Sequence, residues 1–208
     1  MSKQFAFIGL VFLFFGESAF SQKLEPLKRV IDPDHVISSK ITGKDYDLYI
    51  SFPGNYSVKD TLHYPLLNQA RTVMDWGVGL QEVIIVCISS GKDFLPWFTN
   101  RTLDYTPSVS PAGERNMEKG YGLAEGALRS GGASRFLASI KEEIVPFIDR
   151  HYKTTSDRGI AGHSFGGLFA AYCLVHSPGY FSRYGINSPS FWWDDQKLLT
   201  ESKAVLGS

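Results

Sequence analysis

Residues 162 to 166 read Gly162-His163-Ser164-Phe165-Gly166, a serine with a glycine two positions to either side. That spacing suits nucleophilic chemistry when the serine sits at a sharp turn from strand to helix, which projects its hydroxyl at the edge of a sheet. The context fits. Ile160-Ala161 end a short apolar stretch, and Leu168 opens an apolar run with helical character. Side chains two residues either side of such a serine collide, which calls for glycine at 162 and 166. Gly167 lets the helix pack closely. The backbone N–H of Phe165 falls at the helix N-terminus, where it can stabilise an oxyanion. A phosphate cradle is the other chemical reading of a glycine-rich turn. It lacks here the lysine of a P-loop and the spacing of a dinucleotide fingerprint. A close-packed turn without chemistry is the plain alternative.

A nucleophilic serine needs a base. His163 is adjacent, but neighbouring side chains at this turn point apart, so it reads as structural. His176 lies along the same helix, about 18 Å away by helical rise. His35, His63 and His151 precede the serine and match no base position.

The elements that must hold this turn are legible in outline. "KDYDLYISFP" alternates Tyr46, Leu48, Ile50 and Phe52 with Asp47, Tyr49 and Ser51, which predicts a strand with one exposed face. "EVIIVCIS", residues 82 to 89, is apolar and β-branched throughout, as a central parallel strand is. Gly91 to Gly132 is polar and rich in Gly and Pro, long enough to be either a functional loop or poorly ordered. Phe136, Ile140, Ile144, Phe147 and Ile148 have helical spacing, with Pro146 placed to bend or shorten the helix. "RGIAGH" predicts a strand, "GGLFAAYCLVHSP" a helix stopped at Ser177-Pro178-Gly179, and "RYGINSPS" a further strand. Alternation of strand and helix predicts a parallel sheet with crossover helices.

Bulk properties bound the rest. With 21 basic and 21 acidic residues the formal charge is zero, which points away from nucleic acid as a partner. Lys3, the apolar run Phe5 to Phe15, and small residues Ala19 and Ser21 make the three parts of a secretory signal. The expectation is cleavage after Ser21, a secreted or periplasmic protein with no permanent membrane span, and one domain over residues 22–208. Cys87 and Cys173 sit in apolar stretches and read as buried free thiols; without a CxxC they offer no redox or zinc motif. No metal or cofactor is called for.

Three segments carry a resemblance: "WFTNRTLDYTPS" (97 to 108), the stretch from Phe136 to Tyr172 that contains the elbow, and "FSRYGINSPSFWWDD" (181 to 195). Over roughly residues 40 to 199 the chain resembles the esterase family of α/β-hydrolases that includes esterase D-like proteins and enterochelin-type siderophore esterases. The resemblance implies an α/β-hydrolase fold, a mostly parallel sheet flanked by helices. It also implies hydrolysis of a small-molecule carboxylic ester, with Ser164 as nucleophile and the Phe165 N–H in the oxyanion hole. Arg101, Trp192 and Trp193 are candidate substrate contacts. For Arg101 and Asp104 a loop salt bridge competes with that role, and for the tryptophans packing does. Asp194 and Asp195 follow the last strand, where some hydrolases keep an acid, although a solvated loop or cap explains them as well.

Two departures shape the expectation. After Tyr64-Pro65-Leu66-Leu67 about a dozen residues of the family pattern are missing, including the turn that carries the second oxyanion N–H. The family's histidine lies beyond the "SPSFWW" segment, and none follows it here. The fold is therefore expected to be incomplete at its C-terminal side and the activity weak or nil. A non-catalytic binding module and an acyltransferase of the same fold are the alternatives.

Overall fold

The computed structural model describes residues 32–52 and 84–206. The expected signal segment, His63 and the Tyr64–Leu67 segment, with the connection expected to be shortened, lie outside the described residues. By contact the chain divides into two compact units: residues 1–35 with 48–87, and residues 36–47 with 88–208.

Five strands are described: β1 (His35–Ser38), β2 (Asp45–Ser51), β3 (Ile85–Ser89), β4 (Gly159–His163) and β5 (Arg183–Asn187). The first three form one sheet in the order β1-β2-β3, and the last two form another. β4 and β5 are parallel, with Gly162 opposite Ile186 and His163 opposite Asn187. The connection between them runs through the apolar helix that follows the serine, as the alternation of strand and helix predicted.

β2 departs from its predicted one-sided pattern. Tyr46, Leu48 and Ile50 are buried as expected, but Asp47 and Ser51 on the opposite face are buried too. It is the middle strand of its sheet, so neither of its edges is free. β3 covers the C-terminal part of the apolar run that predicted it, and its residues are half-buried; it ends its sheet among the described residues.

In the larger unit, the stretch from Gly91 to Gly132 is ordered rather than a loop. It forms α1 (Phe94–Tyr105) and α2 (Pro111–Gly120). α1 is hard to see in sequence because Thr and Asn are weak helix formers. Thr102, and Thr106 at the helix end, are buried and donate to the preceding turn: Thr102 Oγ1 to the Phe98 carbonyl, and Thr106 Oγ1 to that of Thr102, both at 2.8 Å. α2 carries recognisable start signals, Pro111 in its first turn and Ser110 accepting from the Gly113 N–H. The buried Glu118 then accepts from the Leu128 N–H at 2.9 Å, pinning the loop that follows.

The predicted long helix is three pieces: α3 (Ala133–Ser139), a π-helical turn (Ile140–Ile144) and α4 (Val145–His151). The Val145 N–H reaches back five residues to the Ile140 carbonyl. Proline 146 lacks an N–H and crowds the preceding turn, so the helix widens there instead of breaking. α5 (Phe165–His176) runs from the serine through a core of Leu168, Phe169, Ala170 and Cys173. Phe169 packs on Phe136 and Tyr105, and Phe136 on Tyr46, joining α5, α3, α1 and the start of β2 by ring contacts 5.0 to 5.7 Å apart. α6 (Lys197–Leu206) ends the described chain.

Both cysteines are free thiols, as read from sequence, but only Cys173 is buried; Cys87 is half-buried. Burial pushes Cys173 up to about 12 and raises Cys87 as well.

Candidate active site at the β4–α5 turn

Ser164 is the residue between β4 and α5, with φ 58° and ψ −119°. A non-glycine residue in that region is strained, and such strain persists only where its surroundings over-determine it. Three hydrogen bonds do so here. The Ser164 N–H donates to the Asn187 carbonyl at 3.2 Å, and its own carbonyl accepts from Leu168 at 3.0 Å and from Ser190 at 3.1 Å. The side chain remains half-exposed and accessible.

The glycines divide their work unevenly. A Cβ at Gly162 would lie 2.2 Å from the Gly166 carbonyl oxygen, a contact no side chain makes. A Cβ at Gly167 would stand 2.7 Å from the Asn187 carbonyl, so Gly167 is what lets α5 approach the end of β5. A Cβ at Gly166 meets only the Tyr105 ring edge, at 3.9 Å. The symmetrical collision argument thus fails at Gly166: the crowding is between its backbone and residue 162, not at its own side-chain position.

Phe165 is 2% exposed, and its N–H opens the helix, where first-turn donors lack intrahelical partners. Its ring is central to the site. Trp192 tilts against it at 5.7 Å, Trp193 meets it edge-on at 5.3 Å, and the Arg101 guanidinium lies 5.4 Å from its centroid. Arg101 also sits over Trp97 and Tyr105, at 5.7 and 5.4 Å, and donates to the His163 carbonyl at 3.3 Å. Burial draws its pKa down from the usual arginine value, while the nearby phenols of Tyr105 and Tyr121 oppose that shift. The structure thus brings Arg101, Trp192 and Trp193 together around Phe165 next to Ser164.

The two tryptophans differ. Trp192 is 58% exposed and Trp193 2%. The Trp193 indole N–H donates to the Ser108 carbonyl at 3.1 Å, and its ring occupies the space a side chain at residue 113 would need. Trp193 is therefore packed inside, and Trp192 presents an aromatic face to solvent. Asp104 takes the salt-bridge reading: it is 3% exposed, pairs with Lys44, and accepts from the Tyr46 hydroxyl at 3.0 Å. Desolvation raises its pKa against the opposing pull of Lys44. Asp194 accepts from the Ser108 hydroxyl at 2.5 Å and lies 4.0 Å from Lys197, which accounts for its carboxylate as a structural group.

Four histidines are described. His163 is exposed, with its carbonyl taken by Arg101. His151 donates from Nδ1 to the Phe147 carbonyl at 2.8 Å and stacks on that ring. His176 Nε2 lies 3.4 Å from Glu201, and the ring packs on Tyr172. His35 heads β1. Among the described residues the side chain that meets the Ser164 hydroxyl is instead Ser190, with Oγ to Oγ 3.1 Å. Sequence reasoning passed over Ser190; only its place in "SPSFWW", shortly after a strand paired with β4, could have marked it.

Over 79 residues the chain is 40% identical to the siderophore enterobactin esterase of Emericella nidulans, a match covering 36% of this chain and 26% of that protein. The curated relatives it matches are thus aligned over about a quarter of their length. Among solved structures, the BES protein of Bacillus cereus superposes with a TM-score of 0.65 at 24% identity, covering 83% of this chain and 66% of that one. An IroE-like serine hydrolase of Shewanella oneidensis gives 0.63 at 26% identity, over 83% of this chain and 55% of that one. The fold is that of the α/β-hydrolases. The profile of the family described as "Putative esterase" matches residues 96–206, which hold α1, the Ser164 turn and both tryptophans. The chain belongs to that esterase family.

Proposed function

We propose that the protein is a serine esterase in which Ser164 attacks the carbonyl of a small-molecule carboxylic ester. The observation that carries this reading is the strained, half-exposed Ser164 at the head of α5, held by a hydrogen bond to Asn187 at the end of β5 and by bonds from Leu168 and Ser190. Attack by Oγ forms a tetrahedral oxyanion, to which the Phe165 N–H donates. Collapse expels the alcohol and leaves an acyl-enzyme, which water then cleaves. The names of the relatives favour siderophore esters as the substrate class. Trp192 offers a stacking face, and Arg101 a cation for an anionic or aromatic part of the substrate.

The attacking serine must pass its proton to a base. In this arrangement its hydroxyl meets a hydroxyl, and among the described residues His151 meets the Phe147 carbonyl and His176 meets Glu201. Turnover by this polypeptide is therefore proposed to be slow. The same pairing favours a second reading, an ester-binding domain that does not turn over its ligand. Hydrolysis of p-nitrophenyl acetate and butyrate, compared between the wild type and Ser164→Ala, tests these proposals. A slow rate lost in the variant supports the esterase. A rapid rate lost in the variant overturns the slow turnover, and a rate unchanged by the variant overturns Ser164 as nucleophile. Export under the direction of residues 1–21, with cleavage after Ser21, belongs to the same reading and is checked by N-terminal sequencing of exported protein.

A further inference from the structure

Ser190 has a hydroxyl that the mechanism above does not use. It stands in the loop after β5, is 4% exposed, and grips the elbow twice. Its N–H donates to the Ser164 carbonyl at 3.1 Å, and its Oγ lies 3.1 Å from Ser164 Oγ. Its own carbonyl accepts from the Trp193 N–H at 3.1 Å, which ties it to the buried indole. A buried hydroxyl costs free energy unless it finds a partner. The partner Ser190 has is the nucleophile itself.

We propose that Ser190 is a catalytic residue, donating a hydrogen bond to Ser164 Oγ and holding it in one rotamer for attack. This rests on Ser164 being the nucleophile. Each hydroxyl has one proton to donate and two lone pairs to accept with. A serine that attacks gives its own proton away, so in that state its oxygen can only accept. The Ser190 hydroxyl is the donor placed to supply that bond. The elbow fixes the Ser164 backbone but leaves rotation about χ1 free, and a donor on the adjoining loop selects among the staggered positions. Ser190 does not serve as the base: an aliphatic hydroxyl takes up no proton near neutral pH, and none passes to it. Its backbone grip on Ser164 survives loss of the side chain, which separates positioning of Oγ from support of the turn.

The test is labelling by a fluorophosphonate, in which Ser164 Oγ bonds to phosphorus as fluoride leaves and its proton passes to solvent water. A single covalent hit accumulates even where turnover is slow. Intact mass against time on the full chain yields a maximal rate, kinact, and a half-saturating concentration, KI. Wild type is expected to be modified once and Ser164→Ala not at all. Ser190→Ala is expected to lower kinact about tenfold, the scale of one hydrogen bond to a group gaining charge, with KI unchanged. Ser190→Cys, near in size with a weak donor, is expected to fall between, and it carries the test if the alanine variant melts early. Variants that label at the wild-type kinact, or that change KI alone, overturn the role of Ser190 and leave the nucleophile standing. A wild type that never labels overturns both.

Discussion

At the scale of the residue, two pairs that look alike in sequence have different work. Gly162 and Gly166 flank Ser164 symmetrically, yet only residue 162 has no room for a side chain. Gly162→Ala should cost about 3 kcal/mol or more, as backbone collisions in a packed turn do. Gly166→Ala should be neutral or raise the melting temperature, since alanine is the better helix former by about 1 kcal/mol. Thermal melting of the two variants decides this, and an equal loss in both would contradict the asymmetry. Trp192 and Trp193 divide the same way. Trp193→Ala empties a buried site and should lower stability by about 3–5 kcal/mol. Trp192→Ala should leave the melting temperature nearly unchanged and raise KM for an aromatic ester. Their exposures, 58% and 2%, tell these neighbours apart.

At the scale of the element, the π-helical turn does more than absorb Pro146. It carries Glu143, whose carboxylate accepts from the hydroxyls of Ser39 and Ser139 and from the N–H groups of Lys40, at 2.8 Å, and Ile41, at 3.3 Å. That carboxylate closes the turn between β1 and β2. Burial pushes its pKa upward, but these donors outweigh it and leave it below the usual glutamate value. A carboxyl whose folded pKa is depressed stabilises the protein above its unfolded value, about 4.3, and loses that contribution as pH falls through the folded value. The difference in melting temperature between wild type and Glu143→Gln should therefore be largest near neutral pH and shrink below about pH 4. A difference independent of pH would exclude the ionised carboxylate as the cause. The sequence showed the helix and its proline. It did not show that the bulge aims a carboxylate at a turn about 100 residues earlier, because no local period encodes a long-range partner.

At the scale of the molecule, the two thiols report on the two compact units separately, Cys87 in one and Cys173 in the other. Cys173 is fully buried with its pKa pushed up to about 12, so its thiolate is scarce and out of reach. Alkylation at neutral pH should modify Cys87 first and Cys173 only when the larger unit opens, at a rate that rises with denaturant. Mass spectrometry of partly alkylated protein reads both sites, and early modification of Cys173 would show an unpacked α5.

What the sequence determined by itself is what is local. The strand, the turn and the helix around Ser164 follow from an apolar stretch, closely spaced glycines and a second apolar run, so the elbow was legible. The resemblance in three segments carried the fold class and the esterase family. What only the tertiary structure decided is which groups meet across the chain. It put α1 where a polar loop was read, because inward-turned threonines and buried contacts override weak propensity. It buried both faces of β2 and took Asp104 into a salt bridge. It sorted one tryptophan from the other, and it set the Ser190 hydroxyl against Ser164. Hydroxyl pairs have no signature in spacing: they form where two loops from different strands are packed to the same point, and packing is a property of the whole fold.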